Sequence, residues 1–425
     1  IRPGRARLPE SAPKFSDMDF MYYFRGNFPV SSGKDTVFLL GHQTACSRTV
    51  MIMEKIRKLY PMKFQSLETE EPWGKVTIGL ADLGIEDSVV AEGWLGGNSI
   101  GEIMETYLER VVGDYVYSCY GRQFPLLVKF LEVDGEMPVH VHPDDEIAGQ
   151  RYDALGGKEL WYIAEEGEEP ALYVGFSKEM SAGEVYGKCL DSSIREEMNV
   201  IRPRKGDFLT IEPGTVHSAS GKGLRIIVVK ESSELPFKLQ DKEEDSAELA
   251  GTHLAEAMDF IDYGKYVPAA GATADGDGGQ MEKLAECPEF NVSRIRLSEP
   301  LHIFSGESDS YILLVCVEGE ASLQVPGTGV DGKRTVENYS LRKGETVLVP
   351  AEVQDLYVVP VDRDTVLLEA ASGKRDDSDG YINPDTEPFL EGEDYEGLED
   401  EYGEEEAGRE APVSGYEKFF MKKGS

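Results

Sequence analysis

The sequence has few cysteines, no long apolar run and a shortage of basic residues. Its five cysteines are scattered and form no CxxC pair, which excludes a disulfide scaffold and favours a reducing, cytoplasmic setting. Because no apolar run reaches about 18 residues, no segment is predicted to span a bilayer. The 43 Lys and Arg stand against 80 Asp and Glu, a net charge of −37. This excess excludes nucleic acid and anionic membranes as main partners.

Composition divides the chain into five parts. Hydrophobic residues make up 40% of the 425 positions, enough for a sizeable core. We assign no role to residues 1–57, and the Ala-, Gly- and Asp-rich stretch 265–283 is predicted to be a flexible linker. The strongly acidic stretch 373–425 is predicted to be a disordered tail. Two candidate domains remain, 58–264 and 284–372.

Both candidate domains are predicted to be mainly β. Short runs with strand character alternate with turn residues at 124–133, 159–164, 171–176, 208–211, 224–229, 311–317, 321–325, 346–349, 356–359 and 365–368. Such spacing indicates antiparallel sandwiches or barrels. Helical spacing is limited to a few stretches, chiefly 100–112 and 253–263.

The two domains repeat one motif. Arg-Lys-Gly206-Asp precedes an apolar strand and a Pro-Gly-Thr-Val-His217 turn, and Arg-Lys-Gly344-Glu precedes a strand and a turn that ends at Asp355. The glycine and the final residue are equally spaced in both copies. The sequence therefore predicts two copies of one β unit, with a histidine at the turn of the first copy alone.

Four residues of the first domain predict a metal site. His140 and His142 alternate along a strand and so share a face, Glu159 opens a later strand, and His217 closes the Pro-Gly turn. Three imidazoles and one carboxylate suit Zn²⁺, Fe²⁺, Mn²⁺ or Ni²⁺. Alternatively, the histidines are ordinary strand and turn residues. An HxH pair by itself favours that alternative, but the full ordered set favours a metal site.

Around these residues the sequence resembles the cupins, and in particular the class I (bacterial-type) mannose-6-phosphate isomerases. The resemblance runs through 59–64 (LYPMKF), 71–74 (EPWG), 88–93 (SVVAEG), 124–131 (FPLLVKFL), 139–148 (VHVHPDDEIA), 157–163 (GKELWYI), 213–224 (PGTVHSASGKGL) and 253–262 (HLAEAMDFID). It implies two cupin (double-stranded β-helix, jelly-roll) domains, the second without metal. It also implies a zinc enzyme that interconverts mannose 6-phosphate and fructose 6-phosphate, with a small phosphorylated sugar as its partner.

The resemblance assigns ligands one by one. His142, Glu159 and His217 match the family's two histidines and one glutamate, and His140 stands where the family has a glutamine. Histidine also coordinates metal, so this departure produces the three-His, one-Glu set of other cupins.

The residues that contact the substrate in the family are matched less well in this sequence. Lys129 matches an active-site lysine of the family. Lys238 stands where the family has its catalytic arginine; a lysine keeps the positive charge but cannot bind phosphate or an enediolate through two parallel N–H groups. Lys129, Lys158 and Glu231 are all candidates for the general base. The four predicted ligands, His140, His142, Glu159 and His217, are called the cage below. Lys230 adds to the positive charge around it, although Lys230 and Glu231 also fit an exposed surface pair.

Two other functions fit the same residues. One is a different metal cupin enzyme that acts on a sugar or an organic acid, because three histidines and a glutamate also occur in such cages. The other is a non-catalytic cupin that binds sugar phosphates.

Overall fold

The computed structural model describes residues 57–84, 87–240, 254–267, 280–306, 309–328 and 332–374. Almost all of the N-terminal segment 1–57, the middle of the predicted linker and the acidic tail beyond 374 lie outside these ranges. Within them, every helix is too short or too polar to span a bilayer.

The first half of the described chain contains twelve strands and five helices. The strands are β1 (Met62–Lys63), β2 (Leu67–Glu71), β3 (Gly74–Leu80), β4 (Leu126–Val133), β5 (Val139–Val141), β6 (Glu159–Glu165), β7 (Glu168–Phe176), β8 (Met198–Ile201), β9 (Phe208–Ile211), β10 (His217–Lys222), β11 (Leu224–Glu231) and β12 (Phe237–Gln240). The helices are α1 (Ile100–Tyr107), α2 (Glu109–Val112), α3 (Asp114–Tyr120), α4 (Asp145–Tyr152) and α5 (Ala182–Leu190). A further helical turn follows at 254–257.

The second half is built from strands. They are β13 (Met281–Glu286), β14 (Phe290–Leu297), β15 (Leu301–Phe304), β16 (Ile312–Glu318), β17 (Glu320–Thr328), β18 (Arg334–Arg342), β19 (Thr346–Val349), β20 (Asp355–Pro360) and β21 (Thr365–Ser372). The expectation of a mainly β protein with a few helices is confirmed.

Each half forms a barrel of two antiparallel sheets. In the first barrel the strand orders are β2-β3-β4-β11-β6-β9 and β12-β5-β10-β7-β8. In the second they are β1-β19-β16-β21-β14-β13 and β15-β20-β17-β18. Strand β1 therefore completes a sheet of the second barrel, although it precedes the first barrel in the chain. Strand β13 begins at Met281, so ordered structure starts within the predicted linker.

Apolar side chains fill both barrels. Trp161, Val174 and Val228 belong to the buried cluster inside the first barrel, and Leu314 and Val358 belong to that of the second. Inward-facing positions alternate with outward-facing ones along each strand, as the pleat requires. This alternation decides which side chains of β6 and β11 enter the first barrel.

The predicted repeat is present as two equivalent turns. The Asp207 amide donates to the Arg204 carbonyl at 3.0 Å, and the Glu345 amide donates to the Arg342 carbonyl at 2.9 Å. Gly206 and Gly344 have φ angles of 88° and 80°, a region that glycine enters without strain. The strands that follow lead to His217 in one barrel and Asp355 in the other.

Candidate metal centre

Three histidines converge between the two sheets of the first barrel. His140 on β5 is the cross-strand partner of His217 on β10, and His142 follows β5 directly. One ligand nitrogen from each imidazole lies within 4.8 Å of the others. The ring centroids of His140 and His217 are 4.1 Å apart, and that of His142 lies 5.3 Å from His217.

Backbone carbonyls fix the orientation of all three rings. The Nδ1 atom of His140 contacts the Pro138 carbonyl at 3.0 Å, and the Nδ1 atoms of His142 and His217 make similar contacts with the carbonyls of Leu235 and Thr215 at 3.1 and 2.8 Å. Because a carbonyl only accepts, each Nδ1 carries the proton and each Nε2 keeps a lone pair. This arrangement is typical of histidines that bind a metal.

Burial keeps the imidazoles neutral. It lowers the pKa of His140 to about 3 and the pKa values of His142 and His217 to about 4, because the charged form is poorly solvated there. All three histidines therefore present lone pairs at neutral pH.

Glu159 joins the cage from the opposite sheet. Its Oε1 atom lies 3.0 Å from His142 Nε2, and its Oε2 atom lies 3.9 Å from His217 Nε2. Trp161 Nε1 donates to Oε2 at 2.6 Å. Burial opposes ionisation of Glu159, yet the Lys230 ammonium beside it holds its pKa well below the usual value. Glu159 is thus a buried carboxylate.

The donor atoms fit a divalent ion. With Nδ1 protonated, His142 Nε2 and the Glu159 carboxylate are two acceptors 3.0 Å apart, a contact that a shared cation relieves. His217 Nε2 is buried and has no hydrogen-bond partner. The three neutral imidazoles, with the Glu159 carboxylate beside His142 and His217, form a donor set that suits the transition metals predicted from the sequence.

Two of the predicted catalytic side chains lie on the cage side of the barrel. Lys129 forms an ion pair of 2.6 Å with Glu234, close enough to His140 to affect its pKa. Lys238 on β12 is the cross-strand partner of His140. The lysine that matches the family motif and the lysine at its arginine position therefore both lie beside the histidines.

The other two predicted catalytic side chains point away from the cage. Lys158 precedes Glu159 and projects to the opposite face, where it lies 3.0 Å from Glu212 and 3.4 Å from Glu289. Glu231 is buried and lines a cavity of about 350 Å³ together with Glu289 and the acidic start of α4. This acidic cavity differs in charge from the cage.

Three neighbours of the cage were missed or misjudged at the sequence level. The interpretation of Lys230 and Glu231 as a surface pair is wrong, because both are buried; Lys230 Nζ lies 2.9 Å from Glu159 Oε1. The core residue Trp161 also contacts Glu159, and Glu234 was not singled out from the sequence. Strand alternation counted forward from Val228 was the signal that could have placed Lys230 inside.

Comparisons with known proteins agree with this geometry. No family model matches the chain. The mannose-6-phosphate isomerase of Streptococcus mutans is 26% identical over 305 residues, covering 71% of this chain and 88% of that protein. Mannose-6-phosphate isomerase ManA of Bacillus subtilis is 27% identical over 316 residues, covering 68% and 93%.

Solved structures share the fold. The B. subtilis mannose 6-phosphate isomerase superposes with a TM-score of 0.61 at 21% identity, covering 73% of this chain and 99% of that one. A putative mannosephosphate isomerase from Archaeoglobus fulgidus gives 0.59 at 18% identity, covering 75% and 99%. Fold and cage together define a protein of two cupin barrels, which confirms the predicted fold class. In sequence the chain is similar to mannose-6-phosphate isomerases of bacteria, and in fold it is similar to solved structures of these enzymes.

Proposed function

We propose that the protein is a metal-dependent aldose–ketose isomerase that interconverts mannose 6-phosphate and fructose 6-phosphate. The observation that carries this proposal is the cage of three imidazoles and Glu159 in a chain that matches named isomerases over most of their length. We further propose zinc as the ion, a small phosphorylated sugar as the partner and the cytoplasm as the compartment. Four described cysteines are free thiols, which supports a reducing setting.

The chemistry requires removal of a proton from C2 of the sugar and its return to C1. A bound divalent ion would supply Lewis-acid stabilisation of the enediolate charge. The ammonium groups of Lys129 and Lys238, beside the cage, would hold the phosphate or the developing negative charge.

Proton transfer needs a group within about 3 Å of the substrate carbon. Of the three candidates, Lys129 lies on the cage side, and Lys158 and Glu231 lie on the other face. Lys129 also holds Glu234, whose pKa it lowers together with Lys230 against the effect of burial. We therefore propose that the Glu234 carboxylate takes the proton from C2 and returns it to C1, while the paired Lys129 stays protonated.

The test is isomerisation by the full chain after removal and return of metal. Chelator-treated protein should be inactive, and stoichiometric zinc should restore conversion of mannose 6-phosphate. His217→Ala should lower kcat/KM at least about 100-fold, since one of the ligands is lost. His302→Ala is the matched control, because this exposed histidine of the second barrel pairs with Asp355 far from the cage, and it should leave activity unchanged.

Three outcomes would contradict the proposal. Zinc-loaded protein without conversion would refute the isomerase function. Iron with oxygen uptake and no isomerisation would indicate another metal cupin enzyme. Thermal stabilisation by hexose phosphates without turnover would indicate a binding protein.

A further inference from the structure

A lysine lies in contact with the one anionic ligand of the cage. Lys230 on β11 is the cross-strand partner of Glu159 on β6, and its side chain is fully buried. Its Nζ atom lies 2.9 Å from Glu159 Oε1, the same oxygen that faces His142 Nε2 at 3.0 Å. The ammonium therefore lies against the carboxylate that a bound ion would also use.

Lys230 changes the net charge of the site into which a metal ion would bind. The three imidazoles are neutral and Glu159 is an anion, so the ligands alone carry one negative charge. Lys230 cancels this charge within the barrel, where the low dielectric makes each contact stronger than in water. A divalent ion thus enters a site of zero net charge and lies close to a fixed positive group.

The carboxylate nevertheless keeps room for the ion. An ionised carboxylate has about four lone-pair sites. The indole of Trp161 occupies one of these at Oε2, and the Lys230 ammonium lies against Oε1 as an ion pair without a hydrogen bond. These two groups hold Glu159 and leave lone pairs for an ion.

We propose that Lys230 is a positioning residue that weakens the hold of the cage on its divalent ion by competing for Glu159. An ion held by poorer donors accepts more electron density from its remaining ligand, so weaker binding accompanies stronger Lewis acidity. The inference rests on the proposed metal centre. It concerns the strength of binding, whereas the proposed function concerns the reaction.

The experiment compares metal affinity in the full chain before and after the charge is removed. Dissociation constants for Zn²⁺ and Mn²⁺ are measured by competition with a chromophoric chelator. Lys230→Gln keeps a donor for Glu159 but loses the charge, and it should bind both ions at least about tenfold more tightly. Lys230→Arg keeps the charge and should stay within about threefold of the unmodified protein.

A matched control removes a similar pair elsewhere. Lys63 forms a 2.7 Å ion pair with Glu345 of the second barrel, so Lys63→Gln should leave metal affinity unchanged. Circular dichroism checks that each variant folds. The visible spectrum of bound Co²⁺ gives a second readout, since loss of the shared carboxylate contact should shift its bands whereas a merely structural effect would not.

The possible results are distinct. A folded Lys230→Gln protein with unchanged or weaker affinity overturns this inference and leaves the metal centre intact. Absence of binding by the unmodified protein and by every variant overturns the metal centre, and this inference with it. Lys230→Met serves as a second neutral variant and should tighten binding in the same direction.

Discussion

Among single residues, Asp82 is a described carboxyl group outside the cage whose pKa is strongly raised. It lies two residues after β3, and its Oδ2 atom accepts from the Phe124 amide at 2.6 Å. Burial, with smaller contributions from Asp87 and Glu105, raises its pKa to about 7, even though the Phe124 contact opposes the rise. Between about pH 4 and pH 7, Asp82 is therefore protonated in the folded protein and ionised in the unfolded chain.

Because of Asp82, we expect the free energy of unfolding to fall as the pH rises. Since its pKa is higher in the folded protein, its contribution to stability is complete below pH 4 and disappears as pH rises to about 7. Asp82→Asn should remove this loss and raise the free energy of unfolding above pH 7 by up to about 4 kcal/mol. Urea unfolding between pH 4 and 8 measures the effect.

An exposed carboxyl group supplies the control for this prediction. Asp134 also accepts from a backbone amide, that of Gly223, so Asp134→Asn measures the effect of the same substitution at an exposed position. A profile for Asp82→Asn that runs parallel to that of the unmodified protein would refute the raised pKa.

At the level of single residues, the sequence pattern identifies the predicted metal ligands but not the charged residues that contact them. His140, His142 and His217 stand out because histidine is rare in the chain and these three occur in ordered strand contexts. Lys230 and Glu234 have no such signal, because charged residues are common and their burial depends on which strands pair. Cross-strand contact between Glu159 and Lys230 is a property of the sheet register.

Among the elements, the segment just before β6 packs closely against the ligand His142. A Cβ atom on Gly157 would lie 2.1 Å from the Cβ atom of His142, a distance that neither side can accommodate. The Gly157 amide also donates to the Pro143 carbonyl at 3.0 Å. The chain before Glu159 therefore packs directly against a ligand.

Gly157→Ala should displace His142 and weaken metal binding at least about tenfold, the range seen when groups that orient ligands are changed. The competition assay with Zn²⁺ measures this change. Gly183→Ala is the matched control, because a Cβ atom at that position of α5 meets no atom within 4 Å. Equal affinities in the two variants would show that the cage tolerates movement of His142.

The elements themselves were largely predictable from apolar runs bounded by turn residues. The ten runs expected to be strands lie within a few residues of the observed limits, because alternation and turn composition are local signals. The helix expected over 100–112 is interrupted at Leu108, which has a φ of 47°. A non-glycine residue in that conformation has no signature in the sequence, since tertiary packing imposes it.

In the whole molecule, Arg294 connects the two barrels. This buried residue of β14 donates to the Gly206 carbonyl of the first barrel at 2.8 Å and to Glu282 through two nitrogens. Arg294→Met should lower the free energy of unfolding by about 2–4 kcal/mol, because the buried Gly206 carbonyl loses its donor and Glu282 loses the more buried of its two arginine partners.

Thermal and urea unfolding measure the loss. Arg296 contacts the same Glu282 from a more exposed position, so Arg296→Met should cost less than about 1 kcal/mol. Equal losses in both variants would mean that the contact between barrels contributes little. The sequence did not reveal this connection, because an arginine in a strand is usually exposed.

The pairing of β1 with β19 also sets an order of events during synthesis. Met62 is fully buried, and its partner Leu348 is translated roughly 290 residues later. At ribosomal rates this interval is on the order of 15–60 s. Throughout it, β1 lacks its partner strand β19, so the second barrel can close only after nearly all of the described chain has left the ribosome.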